Sequence, residues 1–247
     1  MEVVGDLKLV FAVFFSGVEF LNQHNPNNIN ISDRDIPRYI AVEGPIGVGK
    51  TTLTKFLAET FNYETVLERT EENPFLERFY ANERNSALPA QLFFLFQRIQ
   101  QLNELRQADL FNPVRVADFL IEKDQLFAQV TLDNDELKLY QQVYNQLTID
   151  APQPDLVIYL QAPNDVLLER IENRGVEAER SIDAAYLTEL NDAYTRFFHF
   201  YDKSPLLIVN ATDIDWVNNP NDYSNLVEYM LGVTSGRHYY NPRSSIF

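Results

Sequence analysis

From Arg38 onward the chain alternates short apolar, β-branched runs with longer amphipathic stretches. RYIAVEG reads as a strand, and TTLTKFLAETFN places apolar residues at Leu53, Phe56, Leu57 and Phe61, which is helical spacing. ETVLE, VRVAD, PDLVIYLQAP and PLLIVNA predict four more strands. A long helix is predicted over LPAQLFFLFQRIQQLNELRQADLF, stopped before Asn112 and Pro113, and two others carry DVLLERIENRG and AAYLTELNDAYTRFFHFYD. This alternation predicts an α/β domain in which a five-stranded parallel sheet has helices on both faces. Neither an internal repeat nor a second composition regime is visible after residue 38.

Before Arg38 the pattern changes. LVFAVFFSGVEF, residues 9–20, has the length of a signal-peptide core, yet Glu2 and Asp6 precede it and no small-residue cleavage site follows. It is too short to span a bilayer, so no membrane partner is expected. NQHNPNNINISDRD, residues 22–35, is polar and asparagine-rich, a linker with little to bury. The expected organisation is an extension and linker over 1–37, one domain over 38–232 and a tail over 233–247. The tail stretch SGRHYYNPRSSIF is rich in aromatics and arginine, and fits a partner-docking tail and a frayed end equally well.

Composition narrows the function. A chain of 247 residues, 45% hydrophobic, suits a single α/β core. Acidic residues outnumber basic ones by 36 to 20, a formal charge of -16, which repels a polyanion and argues against nucleic acid as a partner. The absence of cysteine excludes disulfides, thiolate metal sites and cysteine nucleophiles, and suits a reducing compartment.

Between the first strand and the first helix lies EGPIGVGKTT, residues 43–52. Gly44, Gly49, Lys50 and Thr51 fit G-x-x-x-x-G-K-[ST], in the strand-then-helix context the pattern requires. Gly44, Pro45, Ile46, Gly47, Val48, Gly49, Lys50, Thr51 and Thr52 are the expected ATP-binding residues. The glycines let backbone N–H groups turn toward phosphate, the helix presents its positive end, Lys50 adds a charge, and Thr51 offers a hydroxyl to Mg2+. A chance match is expected on the order of once in a hundred chains of this length, so a mere glycine-rich turn competes poorly.

The acceptor side is read from four places. Glu68 lies at the end of the second strand, where open α/β sheets put their chemistry, and can take a proton from an attacking hydroxyl. Gln91 and Arg98 are seven residues apart on the long helix and share a face, either as helix-surface groups or as flat edges for a planar heterocycle. Asp118 ends the third strand as a candidate metal-associated carboxylate or as an N-cap for the next helix. In ERIENRGVEAER, residues 169–180, Arg170, Arg174 and Arg180 form either a phosphoryl clamp on a lid segment or a solvated charged face.

Taken together, EGPIGVGKTT, ERTEENPFLERFY, LPAQLFFLFQR, PDLVIYLQAP and ERIENRG make the chain from Arg38 to about residue 231 resemble the deoxynucleoside kinases, particularly the bacterial deoxyguanosine and deoxyadenosine kinases. The resemblance implies a P-loop kinase fold, ATP with Mg2+, transfer to the 5'-hydroxyl of a deoxynucleoside with purines favoured, a cytoplasmic enzyme and a homodimer. It implies that Glu68 is the general base, Tyr80 and Glu179 hold the sugar 3'-hydroxyl, Gln91 and Arg98 face the base, and Arg174 holds phosphate. Lys50, Glu68 and Arg174 are then the catalytic set, and Thr51 and Asp118 the metal set. Three positions depart from the family. Arg69 stands where proline is common, and Val176 where a second lid arginine is frequent. Ala117, Asp118 and Phe119 replace the usual Glu-Arg-Ser or Asp-Arg-Ser. Lys123 either supplies the missing charge, donates to a purine acceptor atom, or is a surface lysine. The alternatives are a nucleoside monophosphate kinase and an inactive kinase-fold subunit.

Overall fold

The computed structural model describes residues 34–81, 85–108, 114–148 and 151–242. The apolar stretch 9–20, nearly all of the linker, the helix stop at Asn112 and Pro113, and residues 243–247 of the tail lie outside them. In chain order the elements are β1 (Tyr39–Glu43), α1 (Lys50–Phe61), β2 (Glu64–Val66), α2 (Leu76–Tyr80), α3 (Ala87–Ala108), β3 (Arg115–Ala117), α4 (Lys123–Thr131), α5 (Asn134–Leu147), β4 (Leu156–Gln161), α6 (Asn164–Arg174), α7 (Ala184–Phe200), β5 (Leu206–Asn210), α8 (Pro220–Met230) and β6 (Arg237–Tyr240). The strands form one sheet in the order β2-β3-β1-β4-β5-β6, and every neighbouring pair is parallel.

Side-chain alternation explains why both faces are covered. Along β4, Leu156, Ile158 and Leu160 join a core with Leu53 and Leu57 of α1, Leu167 of α6 and Leu226 of α8. Val157 and Tyr159 point the other way, into a cluster with Leu190, Tyr194 and Phe198 of α7. A third cluster under β2 and β3 joins Val66 and Ala117 to Leu95 and Leu102 of α3 and Tyr140 and Tyr144 of α5. Two buried faces explain the unbroken apolar runs of the central strands. Since parallel strands point their carboxyl ends the same way, the loops after β1, β2, β3 and β4 gather along one edge, with the strand order reversing at β1.

Four helices absent from the sequence reading, α2, α4, α5 and α8, complete the layers. The start of α5 is set by a capping box in which Asp133 accepts from the N–H of Glu136 at 2.9 Å and Glu136 accepts from the N–H of Asp133 at 3.3 Å.

The sheet has six strands where five are expected. RHYY has no apolar run to announce β6; it alternates exposed and half-buried positions, as an edge strand does. Residues 237–240 of the predicted tail therefore lie in the sheet. Tyr240 packs against the α1/α6/α8 core, and Tyr229 of α8 donates its hydroxyl to the Tyr239 carbonyl at 3.2 Å. The Arg237 guanidinium donates to the carbonyls of His199 and Tyr201 at 2.8 and 3.1 Å, supplying donors and positive charge where α7 ends. Arg237→Ala is expected to lower the melting temperature by about 2–4 °C, the shift that roughly 1 kcal/mol produces in a chain of this size. Thermal denaturation followed by circular dichroism checks it, and an unchanged melting temperature would mean that water replaces the guanidinium without loss.

Candidate active site

The loop after β1 folds back on its own strand. Gly44 has φ 152°, and a Cβ there would stand 2.5 Å from the Leu160 carbonyl oxygen of β4. Gly47 has φ 83°, and its Cβ would stand 2.9 Å from both the Leu167 carbonyl and Ile171 Cγ1 of α6. Gly49, with φ 104°, is the residue from which α1 starts, and no side chain caps that helix. The N–H groups of its first turn are thus left for a ligand. Lys50 folds over the loop and donates to the carbonyls of Gly44 at 2.7 Å and Pro45 at 3.1 Å. Burial, and next the charge of Lys123, lower its pKa to about 8.

Asp118 lies just beyond β3 and ties the cradle to the second strand. One carboxylate oxygen accepts from the Thr51 hydroxyl at 2.7 Å and the other from the Glu68 N–H at 2.7 Å. Its role as a helix N-cap is thereby corrected: one oxygen goes to α1 and the other to the loop after β2, and Glu122 is the residue from which α4 starts. β2 closes at Val66, so Glu68 stands two residues past the strand end. Its loop is held from above by α3. Gln101 donates to the Leu67 carbonyl at 2.9 Å, and Gln97 to the Arg69 carbonyl at 3.3 Å.

The Glu68 carboxylate faces two cations. One oxygen is paired with Arg98, and Lys123 Nζ lies 3.3 Å away. Arg98 also pairs with Asp124 of α4 and lies over the Phe94 ring at 5.0 Å. Arg98 Nε and the second Asp124 oxygen are buried without a hydrogen-bond partner among the described residues. Burial lowers the Arg98 pKa to about 10 and that of Lys123 to about 8. Lys123, 2% exposed at the start of α4, is not a surface lysine.

At the end of α6, Arg174 pairs with Glu179 of the lid segment that follows. Tyr80 lies close enough to both for their charges to act on it, although burial is the main reason that its hydroxyl titrates well above the ordinary range. A cavity of about 240 Å³ opens beside Tyr80, bounded by Phe79, Ala87, Thr131, Asp183 and Tyr186. Arg170 is no clamp in this arrangement: it donates to the carbonyls of Ala211 and Thr212 at 2.9 and 3.1 Å, pinning the loop after β5. Gln91 is buried on α3, two turns before Arg98.

The structure thus brings Lys50, Thr51, Asp118, Glu68, Lys123 and Arg98 into one connected set, and Arg174, Glu179 and Tyr80 into a second. Sequence reading missed Asp124, Gln97, Gln101 and Glu43. Gln97 and Gln101 had a signal, being polar groups four apart in an apolar helix that already carried Gln91 and Arg98. Among the described residues, no three His, Cys, Asp or Glu side chains are placed to hold a metal ion, and no helix is long and apolar enough to cross a membrane.

A parallel sheet in this strand order, with a glycine cradle, a lysine, a Thr–Asp pair and a carboxylate across a cleft, defines a phosphate-loop kinase. The deoxynucleoside kinase family model matches residues 40–233, and the chain belongs to that family of ATP-dependent phosphotransferases. It is 35% identical over 198 residues to the deoxyguanosine kinase of Bacillus subtilis strain 168, covering 78% of this chain and 95% of that one. The deoxyadenosine/deoxycytidine kinase of the same strain is 30% identical over 213 residues, 82% of this chain and 97% of the relative. A solved deoxyadenosine kinase of M. mycoides, with products dCMP and a flexible dCDP bound, superposes with TM-score 0.68 at 26% identity over 78% of this chain and 98% of its own.

Backbone strain of about 1–3 kcal/mol is usual at a residue forced into a left-handed conformation, and Gly47→Ala adds a contact with α6 that neither element relieves cheaply. The variant is expected to bind a non-hydrolysable ATP analogue about tenfold more weakly by calorimetry, which is 1.4 kcal/mol. Unchanged affinity would show that the cradle re-forms around the methyl group.

Proposed function

We propose that this kinase transfers the γ-phosphoryl group of ATP to the 5'-hydroxyl of a purine deoxynucleoside, with Glu68 as general base and Lys50 and Arg174 as carriers of phosphoryl charge. The observation that carries the reading is the position of Glu68. Its backbone is fixed to Asp118, which is bonded to the cradle residue Thr51, while its carboxylate, 15% exposed, lies between two cations. A hydroxyl delivered there meets a base already held by three hydrogen bonds to its loop, so positioning supplies much of the rate.

Charge supports the reading as well. Lys50, Lys123 and Arg98 all sit in dry surroundings that lower their pKa values. Such cations favour a ligand that brings negative charge, and a triphosphate does. Lys123, between Glu68 and Glu43, suits the charge-supplying role better than contact with a base. The unpartnered Arg98 Nε and Asp124 oxygen offer a donor and an acceptor to the edge of a planar base, with Gln91 two turns away on α3. A purine preference agrees with the name of the B. subtilis deoxyguanosine kinase, whereas the second B. subtilis relative is named for a purine and a pyrimidine nucleoside. Tyr80 and Glu179, next to Arg174, suit the sugar 3'-hydroxyl.

Hard oxygen donors fit Mg2+. The Thr51 hydroxyl and Asp118 carboxylate stand together at 2.7 Å, and a magnesium ion held by one or two protein oxygens takes the rest of its shell from phosphates and water. When bound it neutralises charge on the triphosphate. A homodimer is supported by apolar side chains left open on adjacent helices: Phe96 of α3 is 54% exposed and Leu139 of α5 is 50% exposed. A chain without cysteine suits the cytoplasm.

Glu68→Gln is expected to retain nucleoside binding while kcat falls by about two to four powers of ten, the usual worth of a general base. Steady-state ATP consumption with each of the four deoxynucleosides, and with deoxyguanosine monophosphate as a control acceptor, checks the reading. Unchanged kcat in the variant removes Glu68 as the base, and preference for the monophosphate removes the nucleoside as acceptor.

A further inference from the structure

One buried carboxylate has no part in the chemistry above. Glu43 ends β1 at 0% exposure, after four apolar residues. Alternation along β1 puts Ala41 and Glu43 on the face covered by α7, where Tyr159, Tyr194 and Phe198 stack. An apolar side chain would fill that place without desolvating a charge. What the two oxygens do is therefore informative. Oε1 accepts from the Gly44 N–H at 2.8 Å and from the Tyr194 hydroxyl at 2.9 Å. Oε2 accepts from the Leu120 N–H at 2.8 Å and lies 3.9 Å from Lys123 Nζ. Gly44 opens the phosphate cradle, and Leu120 lies between Asp118 and Lys123 in the loop that joins β3 to α4.

We infer that Glu43 is a positioning residue whose single carboxylate clamps the donor loop to the acceptor-side loop and so sets the spacing between the phosphate cradle and the Glu68–Lys123 pair. The inference rests on placing Glu68 and Lys123 on the acceptor side. An error of about 1 Å in such a spacing costs up to a hundredfold in rate. Charge adds a second consequence. Lys123 is faced by Glu43 of β1, Glu68 after β2, Arg98 of α3 and Asp118 after β3, with Lys50 of α1 nearby and Asp124 beside it on α4. Among the influences that keep its proton on, Glu43 is the largest.

Glu43→Gln preserves the shape of the side chain but leaves one acceptor oxygen where two backbone N–H groups point. With this variant kcat is expected to fall about ten- to a hundredfold, while calorimetric affinities for deoxyguanosine and for a non-hydrolysable ATP analogue stay close to those of the unsubstituted protein. The alkaline limb of kcat/KM for the nucleoside, measured with ATP saturating so that phosphate holds the Lys50 proton, is expected to move to lower pH. A folded Glu43→Gln protein with unchanged kcat overturns the inference, as does a parallel loss of kcat and binding, which a merely structural role would give. Lys123→Met, run alongside, separates the two readings. If the alkaline limb persists in it, the Lys123 assignment fails, and kcat of Glu43→Gln still decides the role of Glu43. Should Glu43→Gln not fold, Tyr194→Phe keeps the aromatic stack and removes one donor from the clamp. A severalfold loss of kcat with unchanged binding then supports positioning, and full kcat overturns it.

Discussion

Ions taken out of water must be paired, and at the carboxyl edge of this sheet the pairing determines almost everything else. Glu43, Glu68, Asp118 and Asp124 supply negative charge there, and Lys50, Arg98 and Lys123 supply positive charge, carried by β1, the loops after β2 and β3, and helices α1, α3 and α4. A charge stranded by loss of its partner costs several kcal/mol, so each group constrains the next. Asp118 binds α1 to the loop after β2, Arg98 binds that loop to α4, and Lys123 returns from α4 to β1. The parallel topology is what permits this. Antiparallel neighbours would send alternate strand ends to the opposite edge of the sheet and divide the set.

The same set is not fully satisfied within the protein. Among the described residues, Glu68 holds two cations, whereas Arg98 Nε and one Asp124 oxygen have no hydrogen-bond partner, and Lys50 donates to two loop carbonyls. Substrates redistribute these bonds. Phosphate oxygens are stronger partners for Lys50 than two carbonyls, because both members of the pair are then charged. On the proposed reading, a planar base meeting Arg98 Nε and that Asp124 oxygen would draw Arg98 from Glu68 and leave that carboxylate to a hydroxyl.

The fold was legible in the sequence wherever packing was continuous. The strands of β1, β4 and β5 are buried on both faces and read as apolar runs, and the long α3 carries a broad apolar face. β6 was not legible, because an edge strand with one half-buried face leaves only a four-residue alternation. α5 was legible in principle: Asp133 and Glu136 mark its start, and Leu137, Tyr140, Val143, Tyr144 and Leu147 fall at helical spacing on the face that packs under β2 and β3. The cradle was legible because its constraint is local: glycines, lysine and threonine at fixed spacing. Glu68, Asp118 and Lys123 could be proposed from strand ends and family resemblance. Asp124 and Glu43 could not, since their roles arise from pairing across 26 and 77 residues of chain with Arg98 and with the Leu120 N–H. The one sequence cue for Glu43 is a charge at an inward-facing position of a buried strand.

The departure from Glu-Arg-Ser at the third strand also follows from this pairing. The arginine of that motif would carry its charge at every accessible pH, in a planar fork matched to a carboxylate. Here Ala117, Asp118 and Phe119 stand in place of the motif, with Phe119 in the core under α3, and the cation nearby is Lys123, at the head of α4. A lysine in so dry a position does not keep its proton unaided; burial has already brought it to a pKa of about 8. Glu43 and Glu68 therefore have a second use as the anions that keep Lys123 charged, and their own burial is tolerable because Lys123 lies between them. Replacing arginine by lysine at such a site is conservative in charge alone. In energy the lysine depends on the anions beside it, and Glu43 at the end of β1, 3.9 Å away, is one of them.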